Sequence, residues 1–387
     1  MSWPQVALGE VAGVAGPKAG EAGSRLPVYS VTKHRGFVRS SDYFNKQVFS
    51  RDLSGYRTVK AGQFAYATIH LDEGSVGIAP EDSLVSPMYT VFEVNPALVE
   101  PRYLLRYLKS ARALAVYPSL GSGSAERRKA IPFKRLASLN VPLPPLPEQR
   151  RIAAILDHAD TLRAKRRETI ARLDELKQSI FIDMFGDPSA NPRSLPIGSI
   201  GELVESARYG TSEKSSTEGK YPVLRMGNLT ANGRIDVSDL KYMDLAADQL
   251  ERYTVRSGDL LFNRTNSPDL VGKTAVYRSS DPAAYAGYLI RVRTNDNGDP
   301  EYISGYLNSR HGKAVLRSMC KSIIGMANIN ARELQGIKIL KPPIVDQRAY
   351  AQSVAAVEAH QRSLEDEYVV LNSLFSSLQS RAFRGEL

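Results

Sequence analysis

The chain has 387 residues, 42% of them hydrophobic and 24% charged, a composition that fits folded domains, two or more of them, and excludes a disordered or fibrous chain. Its formal charge is +10, its single cysteine, Cys320, excludes an intramolecular disulfide, and no apolar run approaches the ~18 residues of a membrane span. The opening MSWPQVALGEV lacks the basic-then-apolar order of a signal peptide, so the expected location is the cytoplasm, with no membrane partner.

The charge is unevenly placed. Residues 1–147 hold 18 Lys+Arg against 11 Asp+Glu, and 188–345 hold 21 against 16, nets of +7 and +5. Residues 148–187 hold 8 of each sign, and 346–387 hold 4 basic against 6 acidic. Two basic blocks suit two surfaces that face a polyanion; solubility is the other reading of the same excess.

In chain order, the first block mixes short strands with turns. Val28–Val31, Phe64–Ala67 and Met88–Phe92 read as strands, and Pro101–Ala115 as a helix with Leu104, Leu105, Tyr107 and Leu108 inward. The turn Lys33-His34-Arg35 and the loop GSGSAERRK, which ends in Arg127-Arg128-Lys129, combine positive charge with flexibility and suit phosphates. The proline staircase PLPPLP then opens 38 residues without Gly or Pro, Glu148 to Phe185. At ~1.5 Å per residue that is a helix of roughly 57 Å. Ile152, Ile155, Ala159, Leu162, Leu173, Leu176 and Ile180 form its heptad seam, interrupted at Arg166 and Thr169. Arg166 is expected to relieve the core and pin the register of the pairing.

The second block repeats the plan. Tyr221-Pro222-Val223-Leu224 echoes Leu26-Pro27-Val28-Tyr29, and Pro300-Glu301-Tyr302 echoes Pro101-Arg102-Tyr103. Asp346-Gln347-Arg348 answers Glu148-Gln149-Arg150 at an offset of 198, and a second unbroken helix follows to Phe383. Its seam falls at Val357, Leu364, Leu371, Leu374 and Leu378. Gly186 and Gly385 stand where left-handed C-terminal caps belong, and Pro147 and Asp346 where helix starts belong. The fold class is α/β (α+β) in two copies, joined by two long helices that form an antiparallel coiled coil in a pseudo-twofold, nearly circular chain. The expected domains are 1–145, a spacer helix 146–187, 188–343, and a second spacer helix 344–387.

These residues resemble the DNA specificity subunits of type I restriction–modification enzymes over the whole chain. The resemblance is carried by PLPPLPEQRRIAAILDHAD with the helix end SIFIDMFGD, by its degenerate copy PPIVDQRAYAQSVAAVE ending SRAFRGEL, and by GDLLFNRTNSPDLVGKTAVY. It implies two target-recognition domains, each reading half of a bipartite site in double-stranded DNA. It also implies a non-catalytic chain whose helices set the spacer and dock two modification subunits, with restriction subunits in the full complex. S-adenosylmethionine, ATP and Mg are implied for those partners and no cofactor for this chain. The basic GSGSAERRKAIPF loop differs from SIIGMANINARELQ, so the two half-sites should differ.

The chemistry of the residues is consistent with that role. Neither Asn95-Pro96-Ala97 nor Asn191-Pro192-Arg193 supplies the Asn/Asp-Pro-Pro-aromatic motif of an amino-methyltransferase, and the five scattered histidines give no metal-ligand spacing. Gly272-Lys273-Thr274 ends like a phosphate-binding loop, but Ser267 stands at the first glycine, Pro268 lacks an N–H, and the following TAVY reads as a strand where a helix is required. Arg264, Asn266 and Ser267 lie in the loop between Leu260-Leu261-Phe262 and Ala275-Val276-Tyr277; Arg grips guanine and Asn adenine, so this loop suits base edges. Lys273 and Arg225 are further candidates for DNA contact. The alternative reading is a stand-alone DNA-binding scaffold or regulator without a methyltransferase partner.

Overall fold

The computed structural model describes residues 3–20, 25–44, 49–121, 130–267, 270–320 and 327–387. The chain divides into two compact units: Met1–Arg166 with Glu367–Leu387, and Arg167–Asp366. Each unit therefore takes part of both long helices.

In the first unit, one four-stranded sheet runs in the order Ala12–Val14, Tyr89–Val94, Phe64–Ala67, Val76–Ile78. A second runs Gly36–Arg39, Val28–Thr32, Ser83–Val85, Arg57–Val59, with Val28–Thr32 and Ser83–Val85 parallel. All four residues of Phe64–Ala67 are buried because the strand is covered on both faces. Phe64 and Tyr66 join Phe92 in the helix-facing core, and Ala65 joins Val91, Tyr29 and Val85 between the sheets.

The second unit has the same strand order. Val204–Tyr209, Leu289–Thr294, Leu260–Asn263, Thr274–Val276 form one sheet; Lys241–Met243, Tyr221–Leu224, Ala283–Tyr285, Thr254–Val255 form the other. It also contains a short pair, Thr265–Asn266 with Ala327–Asn328. The single helix expected over Pro101–Ala115 is two, Pro101–Leu108 and Ala111–Leu120. Ser110 ends the continuity: its side chain accepts from the Ala113 N–H as an N-cap. Ser309 does the same between Pro300–Asn308 and Arg310–Met319.

The long helices are Leu146–Phe185 and Ile344–Arg384. Gly186 and Gly385 follow them with φ of 78° and 81°, the left-handed cap that a Cβ would strain. Each helix begins with a buried glutamine. Gln149 Oε1 accepts from the Glu100 N–H (2.8 Å), and its Nε2 donates to the carbonyls of Leu98 (2.9 Å) and Pro144 (2.8 Å). Gln347 repeats this with the Asp299 N–H (2.9 Å) and the carbonyls of Asn297 (3.1 Å) and Pro342 (2.9 Å). Two tyrosine hydroxyls per unit then tie the short helix to the strand that leads into the prolines: Tyr103 to Pro142 O and Tyr107 to Asn140 O, Tyr302 to Leu340 O and Tyr306 to Lys338 O.

Within each unit the helices run antiparallel. In the first, Arg166 pairs with Glu367 (2.6 Å), and Arg163 donates to Asn372 Oδ1 (2.7 Å) with its guanidinium 4.3 Å over Phe375. In the second, Lys177 pairs with Glu358 (2.8 Å) and Asp174 (3.0 Å), while buried Gln361 donates to Asp174 Oδ1 (3.2 Å). The expected seam needs correction. Ile152, Val357 and Leu364 are buried and Ile155, Leu173, Ile180, Leu371 and Leu378 half-buried, but Leu162, Leu176 and Leu374 are 43%, 42% and 51% exposed. The inward line passes instead through Leu156, Arg163, Ile170, Lys177 and Phe181. An α-helix drifts ~20° per heptad against a 3.5-residue repeat, and the inward faces here are set by anchors in the domain cores, Leu156 and Phe383 in one unit, Phe181 and Tyr350 in the other.

Burial pushes the Glu358 carboxyl up, but the Lys177 hydrogen bond and the charges of Arg278, Lys177 and Arg234 outweigh it and hold the group below its ordinary 4.5. A depressed folded pKa stabilises above the unfolded value, and that stabilisation is lost as pH falls through the folded one. The stability gap between the parent and Glu358→Gln should therefore be widest at neutral pH and close below about pH 4.5 in urea titrations. A gap independent of pH would show that the pair is not ionised.

Candidate nucleic-acid interface

The loop that follows Leu260–Asn263 is shaped by its backbone. Asn263 O accepts from Gly272 N (2.8 Å), and Ser267 O accepts from both Leu270 N and Val271 N (2.9 Å each). Gly272 has φ 74°, and a Cβ there would lie 2.6 Å from Leu316. Arg264 leaves the strand with both main-chain groups held, its N–H by Tyr288 O (3.1 Å) and its carbonyl by Ile329 N (2.9 Å). Its guanidinium lies 4.7 Å from the Tyr209 ring centroid. Nε is buried without a hydrogen-bond partner, and no carboxylate pairs with Arg264 among the described residues.

Arg264 lines a cleft of 810 Å³ together with Arg225, Asn228, Asp236, Asp239 and Tyr288. Arg225 is neutralised there, its Nη2 donating to Asp239 Oδ2 (3.0 Å) and to the Asp239 carbonyl (2.8 Å). A neighbouring cleft of 880 Å³ shares Thr211, Ser212 and Glu213 with it and adds Arg208, Tyr209, Arg252 and Tyr253. The larger charges of the first cleft are mixed in sign, which disfavours a phosphate and suits a group with both donors and acceptors, such as a base edge.

The other candidates fall in different settings. Asn266 is half-buried, its Oδ1 accepting from Ser267 N (2.9 Å). Lys273 donates to Met226 O (2.9 Å), and burial lowers its pKa, so its ammonium is engaged inside the unit. In the first unit, Lys33, His34 and Arg35 form the exposed tip of the hairpin between Val28–Thr32 and Gly36–Arg39. Thr32 Oγ1 accepts from Arg35 N (3.1 Å), and Lys109 Nζ donates to Lys33 O (3.2 Å). Arg127, Arg128 and Lys129 lie outside the described residues. Sequence reasoning did not single out Tyr209, Tyr288, Arg208 and Arg252, which line these clefts; an aromatic beside a basic residue, as in Arg208-Tyr209, was the available signal. Among the described residues no group of three or more His, Cys, Asp or Glu could hold a metal, and no helix is long and apolar enough to cross a membrane.

Residues 3–173 match the model of the type I restriction modification DNA specificity domain. The chain is 28% identical over 272 residues to the type I restriction enzyme EcoKI specificity subunit of Escherichia coli (strain K12), which covers 64% of this chain and 58% of the relative. It is 26% identical over 313 residues to the StySPI specificity subunit of Salmonella potsdam, covering 75% and 66%. The matches thus span about 58% and 66% of the lengths of these relatives. Among solved structures, the type I restriction–modification S subunit from M. genitalium aligns over 99% of this chain and 96% of its own, with a TM-score of 0.57 at 14% identity, a likeness of fold. Two like α/β units, each built on both of a pair of long helices, are the fold that this likeness shows. The chain is thus similar in sequence to type I restriction enzyme specificity subunits, most specifically over residues 3–173.

The Arg264–Tyr209 contact is measurable by itself. A double-mutant cycle of Arg264→Ala and Tyr209→Ala in chemical unfolding should return a coupling of about 0.5–2 kcal/mol. Coupling near zero would mean that the ring does not hold the guanidinium.

Proposed function

We propose that this chain is the sequence-specific DNA-binding subunit of a type I restriction–modification complex. Residues 1–145 read one half of a bipartite target, residues 188–343 read the other, and the paired helices set the spacing between them. The observation that carries this reading is Arg264: a backbone-fixed guanidinium, supported by an aromatic face and unpaired by any described carboxylate, lining a cleft with both donors and acceptors. Arg presented in that way suits the O6/N7 edge of guanine.

The chain itself carries out no chemistry in this reading; methyl transfer, and any ATP-driven cleavage, belong to partner subunits that hold S-adenosylmethionine, ATP and Mg. Two modification subunits dock along the helices. Support for docking comes from apolar side chains left exposed there, Leu162, Val369, Val370 and Leu374 in the first unit and Leu176 and Ile182 in the second.

Sequencing of methylated adenines tests the division of labour. Arg264→Ala with Asn266→Ala should relax one half-site only; equal loss of both would assign these residues to folding or docking. Inserting one heptad into both long helices should lengthen the spacer and leave the half-site sequences unchanged, and altered half-sites would sink the ruler. Replacing Arg127, Arg128 and Lys129 by Ala should weaken binding with little sequence dependence and flatten the salt slope by about 1 for each phosphate no longer neutralised.

A further inference from the structure

The two units share a hydrogen-bond frame that identifies equivalent positions where the sequences share nothing. Phe64 pairs with Phe92, and Leu260 pairs with Val292. Counting up each strand, Thr68 is the counterpart of Arg264, and the backbone bonds agree. Thr68 N donates to Met88 O (3.2 Å) where Arg264 N donates to Tyr288 O (3.1 Å). Ile131 N donates to Thr68 O (2.8 Å) where Ile329 N donates to Arg264 O (2.9 Å). Met88 and Tyr288 are alike in exposure, 56% and 53%.

The side chains at this shared position differ in kind. Tyr209 lies opposite Ile290 in the register of the second unit. The same place in the first unit falls to Gly16, one residue beyond the bond from Ala15 N to Val91 O. Gly16 has φ 73°, and a Cβ there would approach Val91 to 2.6 Å, so no aromatic ring can stand at that place. Thr68 Oγ1 is engaged with Thr90 Oγ1 at 3.1 Å. Among the described residues, the side chains at this position are half-buried Thr68, whose hydroxyl is engaged, and exposed Met88, an apolar pair in place of a guanidinium on a ring. In sequence, the cations Arg127–Lys129 stand directly before Ala130 and Ile131, the residue that holds Thr68.

We propose that Thr68 and Met88 are the base-reading residues of the first unit, and that they select an A·T pair through the thymine methyl group. The inference rests on the reading of this chain as a DNA half-site reader. Apolar contact with the C5-methyl is the direct-readout chemistry open to such a pair, as the O6/N7 edge of guanine is the one open to Arg264.

Methylated adenines are mapped genome-wide, early after induction, in cells expressing the parent chain, Thr68→Ser, Thr68→Val, Met88→Ala or Arg264→Ala. Thr68→Ser removes the methyl and keeps the hydroxyl; it should cut the preference for thymine at one position by about fourfold, the worth of one buried methyl. Thr68→Val keeps a methyl and should retain the preference. Met88→Ala, at an exposed side chain that cannot unfold the unit, should relax the same position. The affected half-site should be the one that Arg264→Ala leaves intact. Unchanged half-sites in Thr68→Ser and Met88→Ala, or a change in the half-site governed by Arg264, overturns the proposal. A set of motifs that survives deletion of the gene overturns the underlying reading instead.

Discussion

A single buried glutamine at the start of each long helix joins three parts of its unit. Gln149 and Gln347 are each 1% exposed, and each uses its whole amide on backbone groups. The carbonyl takes the N–H that opens the short helix at Pro101 or Pro300; the NH₂ takes one carbonyl from the loop before that helix and one from the proline step. The Pro144 and Pro342 carbonyls are buried in irregular segments, so without the amide they would be left unpaired at about 1–3 kcal/mol each. Because an amide is planar and fully used here, it fixes the direction in which the long helix leaves the domain. The tyrosine pairs Tyr103/Tyr107 and Tyr302/Tyr306 brace the same junction from the other side.

With its direction fixed at the junction, each helix needs its partner in one register. The seam provides register more than cohesion. Arg163, Arg166, Asp174, Lys177, Glu358 and Gln361 occupy places where a strict coiled coil has leucine. Charges of this kind contribute little net stability once desolvation is counted, but a slip of the helices would leave Lys177 and Glu358 buried and apart. Cohesion comes from the aromatic ends: Phe383 against Tyr103 and Tyr107 in one unit, Phe181 and Phe185 against Tyr302 and Tyr350 in the other.

This division explains which features could be read from the sequence. The long helices, their glycine caps and the offset of 198 were legible because Gly, Pro and the Glu-Gln-Arg/Asp-Gln-Arg echoes act locally. The strands Val28–Thr32 and Phe64–Ala67 were legible from β-type composition. The phase of the seam was not, because leucines at Leu162, Leu176 and Leu374 satisfy a heptad count while the domain anchors rotate the helices away from them. The break at Ser110 was hidden within a run of helix formers. At the candidate site, Arg264 was legible from its chemistry, but Tyr209 beneath it was not, since 55 positions of chain separate two residues joined only through sheet register. Thr68 was hidden for a related reason: its offset from Arg264 is 196 while that of the strand opposite, Phe92 to Val292, is 200, so no single shift of the sequence aligns them.

The differences between the units lie at particular places in a common frame. The residue facing the long helices from the short helix is Arg106 in one unit, bound to Asp157 (2.8 Å) and Asp160 (2.7 Å). In the other it is Gly305, where a Cβ would come within 2.6 Å of the Tyr350 hydroxyl. One unit holds its helix by a charged arm and the other by close approach, and both leave the glutamine and tyrosine bonds unchanged. The segment between Tyr221–Leu224 and Lys241–Met243 is longer than the Lys33–Arg35 turn and reaches back to the helices, Arg234 gripping Glu365 with both nitrogens (2.5 and 2.7 Å) and Asn232 meeting Asp174. The Glu365 hydrogen bonds raise the Arg234 pKa and outweigh the burial that opposes its charge. That segment is therefore tied to the long helices as well as to its own sheet. Because the frame relies on backbone carbonyls and amides that any side chain presents, the positions that would face a ligand, Gly16 or Tyr209, Thr68 or Arg264, Met88 or Tyr288, are free to differ without disturbing it.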